Sequence, residues 1–548
     1  MKKLLSLILV MCIVFSCLIF TGCETPYTDP TENIEVTQSK DKYRNYYEIF
    51  VGSFCDSDGD GVGDLQGIIS KLDYLNDGDP TTDEDLGIDG IWLTPIMPSQ
   101  SYHKYDVIDY FDIDEYFGTL NDFDELVNEC HKRGINIIID MVLNHCSKFM
   151  PMFENACKEA LEGNLQGDAR YFEIEKYDSN PGTTHTYIGN DYYYESNFSP
   201  YMPEWDLSAD CTREYFLDIA KFWLKDHNVD GFRLDACRYY ESKNTKAKEF
   251  LSWYYEAVAE IDPDVYMVGE HWMNNSDIQD LYGSKIDSLF AFGFAGSSGI
   301  FVNSLRLRNI NGIISQVERY EKATKKSNEN AINCYFLSNH DQMRSGNYLR
   351  GGNANATKMA ASIYMLMPGN SYMYYGEEIG MIQDAEQDND EYKRCPMVWD
   401  SKNLPDIYVN GVVGSDKSQV PYGGVKQQQS EENSLRNFYK RIIKIKNQNP
   451  EIARGTIKEK LDFGDSFIGG YIVEYKDSSV MIVHNISDTE VKEVTISEDI
   501  IANPTLRGDL VASDGTNSQG DSVDKHISLS GTTLKLPPQS TAILKSAE

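Results

Sequence analysis

Six side chains of the kinds that move protons or balance charge fall at the ends of apolar, β-branched runs. One run ends in DMVLNH, with His145 last, and the next in GFRLDA, which carries Arg233 and Asp235. A third ends in VGEHW, with Glu270, and a fourth in FLSNHD, with His340 and Asp341. A lone Asp in such a place is more often structural than catalytic. Three carboxylates, one Arg and two His at four run ends are harder to explain by packing, because unpaired buried charges are costly. A second acidic motif, DSDGDGVGD, sets Asp56, Asp58, Asp60 and Asp64 around Gly61, which permits a sharp turn. With the Val62 carbonyl, these oxygens suit a hard cation, Ca2+. As a solvated turn, the four carboxylates would repel one another without a counter-ion.

The elements that must position these groups follow from the pattern around them. Strand-like runs cover Tyr46–Val51, Gly90–Thr94, Ile135–Val142, Gly231–Asp235, Val265–Gly269, Ser288–Phe292, Asn333–Ser338 and Ser371–Tyr375. Amphipathic stretches such as Leu65–Leu75, Asn121–Arg133 and Arg213–Asp226 lie between them. Alternating β and α segments imply a parallel sheet of the α/β class. Eight repeats imply a closed (β/α)8 TIM barrel, whose catalytic groups gather where strands end and βα loops begin. The gap from His145 to about Glu204 is too long for a loop and helix, and is rich in Tyr, Asn and Gly. It predicts a small domain inserted after strand three. After about Gly455, alternating runs such as Phe467–Tyr475 and Val480–His484 predict a C-terminal antiparallel β-sandwich. The expected division is 43–145 and 205–454 for the barrel, 146–204 for the insert and 455–548 for the β domain.

In order and placement, the four run ends resemble the principal segments of glycoside hydrolase family 13, the α-amylase family. SYHKYDVIDY from Ser101, PGNSYMYYGEEIGM from Pro368 and RCPMVW from Arg394 are supporting matches. The resemblance spans about residues 43 to 450. It implies Asp235 as nucleophile, Glu270 as general acid/base and Asp341 as stabiliser of an oxocarbenium-like transition state. Arg233, on the same strand face as Asp235, would keep it ionised. Crowding by the other carboxylates would raise the pKa of Glu270. The resemblance further implies that His145 and His340 donate to sugar hydroxyls and that Tyr105 stacks beneath the sugar. Arg394 and Asp390 would contact sugar at or next to the cleaved bond. A calcium loop after strand one is common in the family. A second, interdomain calcium has a matching ligand position at Asn144. Arg238-Tyr239, standing where a Lys-His pair is usual, puts the rest of that site in doubt.

Within the family, three features bear on substrate. Ala236 follows the nucleophile where α-1,6-specific relatives commonly carry Val. SYHKYD resembles the open-cleft endo enzymes, and MPEWDLS resembles the fifth segment of intermediate amylases, although Glu204-Trp205 is atypical. The expectation is an α-amylase cleaving internal α-1,4 bonds of starch and maltodextrins. A neopullulanase, cyclomaltodextrinase or α-glucosidase stays open as the alternative. A non-catalytic starch-binding relative would be expected to lack one of the three carboxylates, and none is missing.

Composition sets the outer bounds. The chain has 548 residues, with 50 Lys+Arg against 86 Asp+Glu, a net charge of −36. That excess argues against nucleic acid and anionic membrane surfaces as partners. Hydrophobic content of 41% and aromatic content of 12% exclude a disordered chain. Lys2, Lys3 and the apolar run Leu4–Phe20 form an export signal over residues 1–22. Thr21-Gly22-Cys23 resembles a bacterial lipoprotein box, which implies a lipid on Cys23 and attachment to the outer surface of the cell membrane; a plain secretory signal is the alternative. Residues 23–42 read as a disordered tether. Eight further Cys form no CxxC pair and read as buried free thiols, with one or two bridges still open. The chain is expected to act as a monomer.

Overall fold

The computed structural model describes residues 27–32, 34–36, 40–240, 244–349 and 354–547. The export signal and Cys23 lie outside the described residues. The eight barrel strands are β1 (Asn45–Ile49), β2 (Gly90–Leu93), β3 (Asn136–Met141), β4 (Gly231–Leu234), β5 (Tyr266–Gly269), β6 (Ser288–Leu289), β7 (Cys334–Tyr335) and β8 (Asn370–Tyr374). All neighbours pair in parallel, β8 pairs with β1, and a Phe290–Cys334 bridge joins β6 to β7 and closes the barrel. The strands are mostly apolar and buried on both faces, because helices cover the outer face and side chains fill the inside. β6 and β7 are shorter than their apolar runs. Beyond the ladder, Phe290, Phe292 and Phe336 pack edge to face at 5.3–6.3 Å, so the chain follows ring packing rather than strand pairing.

The helices obey the same logic. In Leu120–Lys132, Thr119 and Asp122 form a reciprocal capping box that satisfies the first amides. Phe123, Leu126, Val127 and Cys130 recur at three- and four-residue spacing and are buried against the barrel. Full burial of a Leu contributes about 1.5–3 kcal/mol, so Leu126→Ala would loosen this helix.

Between β3 and β4 stand the helix Pro151–Leu161 and a three-stranded antiparallel sheet of Ile174–Lys176, His185–Gly189 and Tyr192–Glu195. The chain returns to the barrel at Glu204 and Trp205, which bridge to His145 and Phe172. At the C-terminus, a five-stranded antiparallel sheet faces a three-stranded one across a shared core that includes Ile472, Met481, Leu534 and Leu544. The eight described cysteines outside the export signal are free thiols. Among the described residues, no helix is long and apolar enough to cross a membrane.

The segment expected to be a disordered tether differs where it is described. Tyr27 stacks on His526, with ring centroids 3.4 Å apart, and donates to Asp509 at 2.9 Å. Arg441 pairs with Asp29 at 3.1 Å, and Gln448 donates to the carbonyls of Thr31 and Ile34. One aromatic ring and three well-placed acceptors dock a stretch whose composition is polar on average.

Candidate active site

β4 runs GFRL and delivers two groups to one face, since side chains two apart on a strand point the same way. Arg233 is fully buried, and its Nη1 lies 2.6 Å from Asp235 and 2.8 Å from Asp140. Its Nη2 reaches Glu270 at 3.2 Å, and its plane lies 5.1 Å from the Trp92 ring. One guanidinium thus ties together carboxylates from β3, β4 and the end of β5. Ala236 follows in the left-handed region at φ 52° and turns its amide onto Glu270 Oε2 at 2.9 Å. A non-glycine residue held there carries local strain, and a β-branched residue would carry more.

The carboxylates are not alike. Burial is the largest influence on Glu270 and raises its pKa. Arg233 opposes that, Asp235 and Asp341 add to it, and the result is about 7. Burial would also raise Asp341. His340 at 3.0 Å and Arg394 at 2.8 Å outweigh it and hold Asp341 well below the usual carboxylate range. At neutral pH one acid is therefore poised to hold a proton beside another that stays charged, the division of labour acid–base catalysis needs.

Sugar-sized polar contacts surround these acids. His145 is buried and held neutral by that burial, and its Nε2 has no partner among the described residues. An orphaned ring nitrogen beside a cleft is free to meet a ligand hydroxyl. Tyr105 donates to Asp140 at 2.9 Å, touches His340 Nε2 at 2.7 Å and lies parallel to the His340 ring at 5.5 Å. Arg394 is buried, with Tyr102 at 3.0 Å and the His340 carbonyl at 3.2 Å as further acceptors. Asp390 stands at the rim, 3.4 Å from Arg394 and 3.0 Å from Lys393. Trp92, Asp140 and Glu48 also belong to this cluster and do not appear among the residues picked at the run ends. Their signal was a single acid or indole inside an apolar run, in NYYEI, GIWL and NIIIDM.

The acidic loop is a separate place. Carboxylate oxygens of Asp56, Asp58 and Asp64 lie within 4.8 Å of one another, a spread that a cation with ligands at about 2.3–2.6 Å fits. Asp60 instead accepts the Val62 amide at 2.8 Å and stands outside the three.

The chain is similar to known proteins along most of its length. The family model described as "Alpha amylase, catalytic domain" matches residues 48–455. "Alpha-amylase 3" of Dictyoglomus thermophilum is 34% identical over 452 residues, which cover 82% of this chain and 86% of that protein. "Cyclomaltodextrinase" of Thermoanaerobacter pseudethanolicus is 29% identical, over 88% of this chain and 71% of its own. The solved structure "Eubacterium rectale Amy13B" superposes with a TM-score of 0.82 at 35% identity, over 95% of this chain and all of that one.

Proposed function

The chain belongs to the α-amylase family, glycoside hydrolase family 13, and on that premise we propose that it cleaves internal α-1,4-glucosidic bonds of starch and maltodextrins with retention. What supports this most is the seating of Asp235 and Glu270 on the two terminal nitrogens of one guanidinium, at 2.6 and 3.2 Å. A nucleophile and an acid/base held by one rigid plane suit a retaining pair, which stands closer together than an inverting pair with a water between them.

In this reading Asp235 attacks the anomeric carbon while Glu270 gives its proton to the glycosidic oxygen, and the leaving chain departs as an alcohol. Glu270, now ionised, takes a proton from water as that water attacks the same carbon and frees Asp235. Arg233 holds Asp235 in place. Asp341 balances positive charge developing on the ring, and Arg394 fixes Asp341. His145, His340 and Tyr105 hold the sugar. Asp56, Asp58 and Asp64 would hold a Ca2+ that clamps the loop after β1 and takes no part in the reaction. Export through residues 1–22 and lipid attachment at Cys23 would place the enzyme where polymers arrive before uptake.

A cyclodextrin- or pullulan-cleaving enzyme or an α-glucosidase is the second reading, favoured by the likeness to the cyclomaltodextrinase. The test is the product course on amylose, pullulan, cyclodextrin and isomaltose. Rapid loss of iodine colour with few reducing ends supports internal α-1,4 cleavage. Steady glucose release with lasting colour, or preference for cyclodextrin, overturns it in favour of the second reading.

A further inference from the structure

Glu48 lies in β1, where an acid interrupts NYYEI, and it is 1% exposed. Its neighbours across the sheet are Trp92 of β2 and Tyr374 of β8. Its Oε1 accepts the backbone amide of His340 at 3.2 Å and sits 2.6 Å from His340 Nδ1. On the far side of the ring, His340 Nε2 is 3.0 Å from Asp341 Oδ2 and 2.7 Å from the Tyr105 hydroxyl, which itself donates to Asp140. Ionised carboxylates only accept, so each ring nitrogen must carry a hydrogen to satisfy the acid it faces. We infer that Glu48 is a positioning residue that holds His340 as a doubly protonated imidazolium, giving Asp341 a fixed countercharge inside the cleft.

The surroundings support this state. Burial disfavours the charge on His340, yet Asp341 and Glu48 outweigh it and push its pKa up to about 9. Other charged groups come from neighbouring elements: Asp140 from β3, Arg233 and Asp235 from β4, Glu270 after β5 and Arg394 from the loop after β8. The two guanidiniums lie against Asp341, Asp140, Asp235 and Glu270, which leaves Glu48 as the carboxylate on the Nδ1 side. Trp92 meets the ring edge to face at 5.7 Å and Tyr105 covers it in parallel, so the imidazole is fixed in orientation. A folded-state His pKa raised in this way keeps the proton at neutral pH and loses it only as pH rises through about 9.

Glu48→Gln tests the inference, because Gln offers the same acceptor to the ring and amide without the charge. The inference rests on the hydrolase reading above, so one readout is independent of activity: nitrogen chemical shifts of 15N-His-labelled protein, assigned with His340→Gln. At pH 7.5 wild type should show both His340 ring nitrogens protonated, and Glu48→Gln should show a neutral ring. With a chromogenic maltotrioside, the ratio of variant to wild-type kcat/KM should be close to one near pH 5.5. It should fall about ten-fold for each unit by which the His340 pKa has dropped below the assay pH. Taking the ratio cancels the titration of Glu270. A neutral His340 in the wild type, or a ratio that is flat with pH, overturns the inference. A wild type inactive on every α-glucan would sink the hydrolase reading while the nitrogen shifts still decide the state of His340.

Discussion

Both ends of the barrel are lined with acidic side chains, and the two sets are used in opposite ways. At the N-terminal end, Asp89, Asp230 and Asp287 each stand just before an even-numbered strand. Each accepts an amide near the start of the preceding odd strand: Asn45 at 2.6 Å, Ile137 at 2.7 Å and Met267 at 3.0 Å. His131 pairs with Asp230 and Lys42 with Asp287, both at 2.9 Å. These acids are fastened to main chain and lock strand register. At the C-terminal end, Asp235, Glu270 and Asp341 are held mostly by side chains that are themselves anchored, and their side chains stay 10%, 12% and 29% exposed. The same residue type thus serves as a strand lock or as a reagent. What decides is whether its acceptor sites are consumed by the scaffold or left aimed at a cleft.

Exchanging one acid at each end should separate the two uses, and the largest effect belongs to the top. Asp235→Asn should lower turnover at least roughly a thousand-fold with an unchanged melting temperature, since a covalent intermediate needs an ionised nucleophile. An activated fluoro-sugar should leave its adduct on the peptide carrying Asp235; an adduct on Glu270 or Asp341 overturns the assignment. Asp287→Ala should do the reverse. Turnover per folded molecule should hold, while stability falls by about 1–3 kcal/mol as the Met267 amide loses its acceptor. Denaturant melts beside single-turnover rates measure both.

The next effect is one of pH. Glu270 is raised to about 7, so the general acid is protonated below that value and kcat/KM should fall roughly ten-fold per unit above it. Glu270→Gln should be weak on starch at every pH yet regain rate in forming the glycosyl-enzyme from a maltosyl fluoride, whose leaving group needs no proton. An alkaline limb that survives in Glu270→Gln would assign the titration elsewhere.

How far this contrast could be read from sequence differs between its halves. The eight strands were legible because parallel strands buried on both faces spell continuous apolar runs. The acids at the run ends were legible for the same reason, as each interrupts such a run at its close. Glu48 and Asp140 interrupt runs from within, and their convergence on His340 and Arg233 depends on barrel closure, which no local pattern encodes. The strand locks were hidden too, because Asp before a strand reads as turn chemistry until the neighbouring strand is in place. Arg394 meets Asp341 only through the path of the long loop after β8. Docking of Tyr27 turns on a single ring in a polar stretch.

The smallest effect concerns a third acidic group, in the loop after β1, which is neither a strand lock nor a reagent. Asp56 already accepts the amides of Asp58, Gly59 and Gly61, and Asp64 accepts from Ser57 and from Gly67, so the loop is internally bonded. Three carboxylates within 4.8 Å nevertheless repel one another unless a cation sits between them. If Ca2+ binds only the folded loop, removing it withdraws RT ln(1 + [Ca2+]/Kd), about 2.7 kcal/mol at a hundred-fold excess over Kd. A chain of this size should then melt a few degrees lower in chelator and recover with added Ca2+ but not with added Mg2+, which demands a tighter octahedral cage. Asp58→Ala should melt at the chelated temperature in either buffer. Elemental analysis finding no calcium in the purified protein, together with identical melting curves before and after prolonged chelation, would leave the loop a hydrogen-bonded turn. It would then be a third use of clustered Asp, stabilised by its own amides alone.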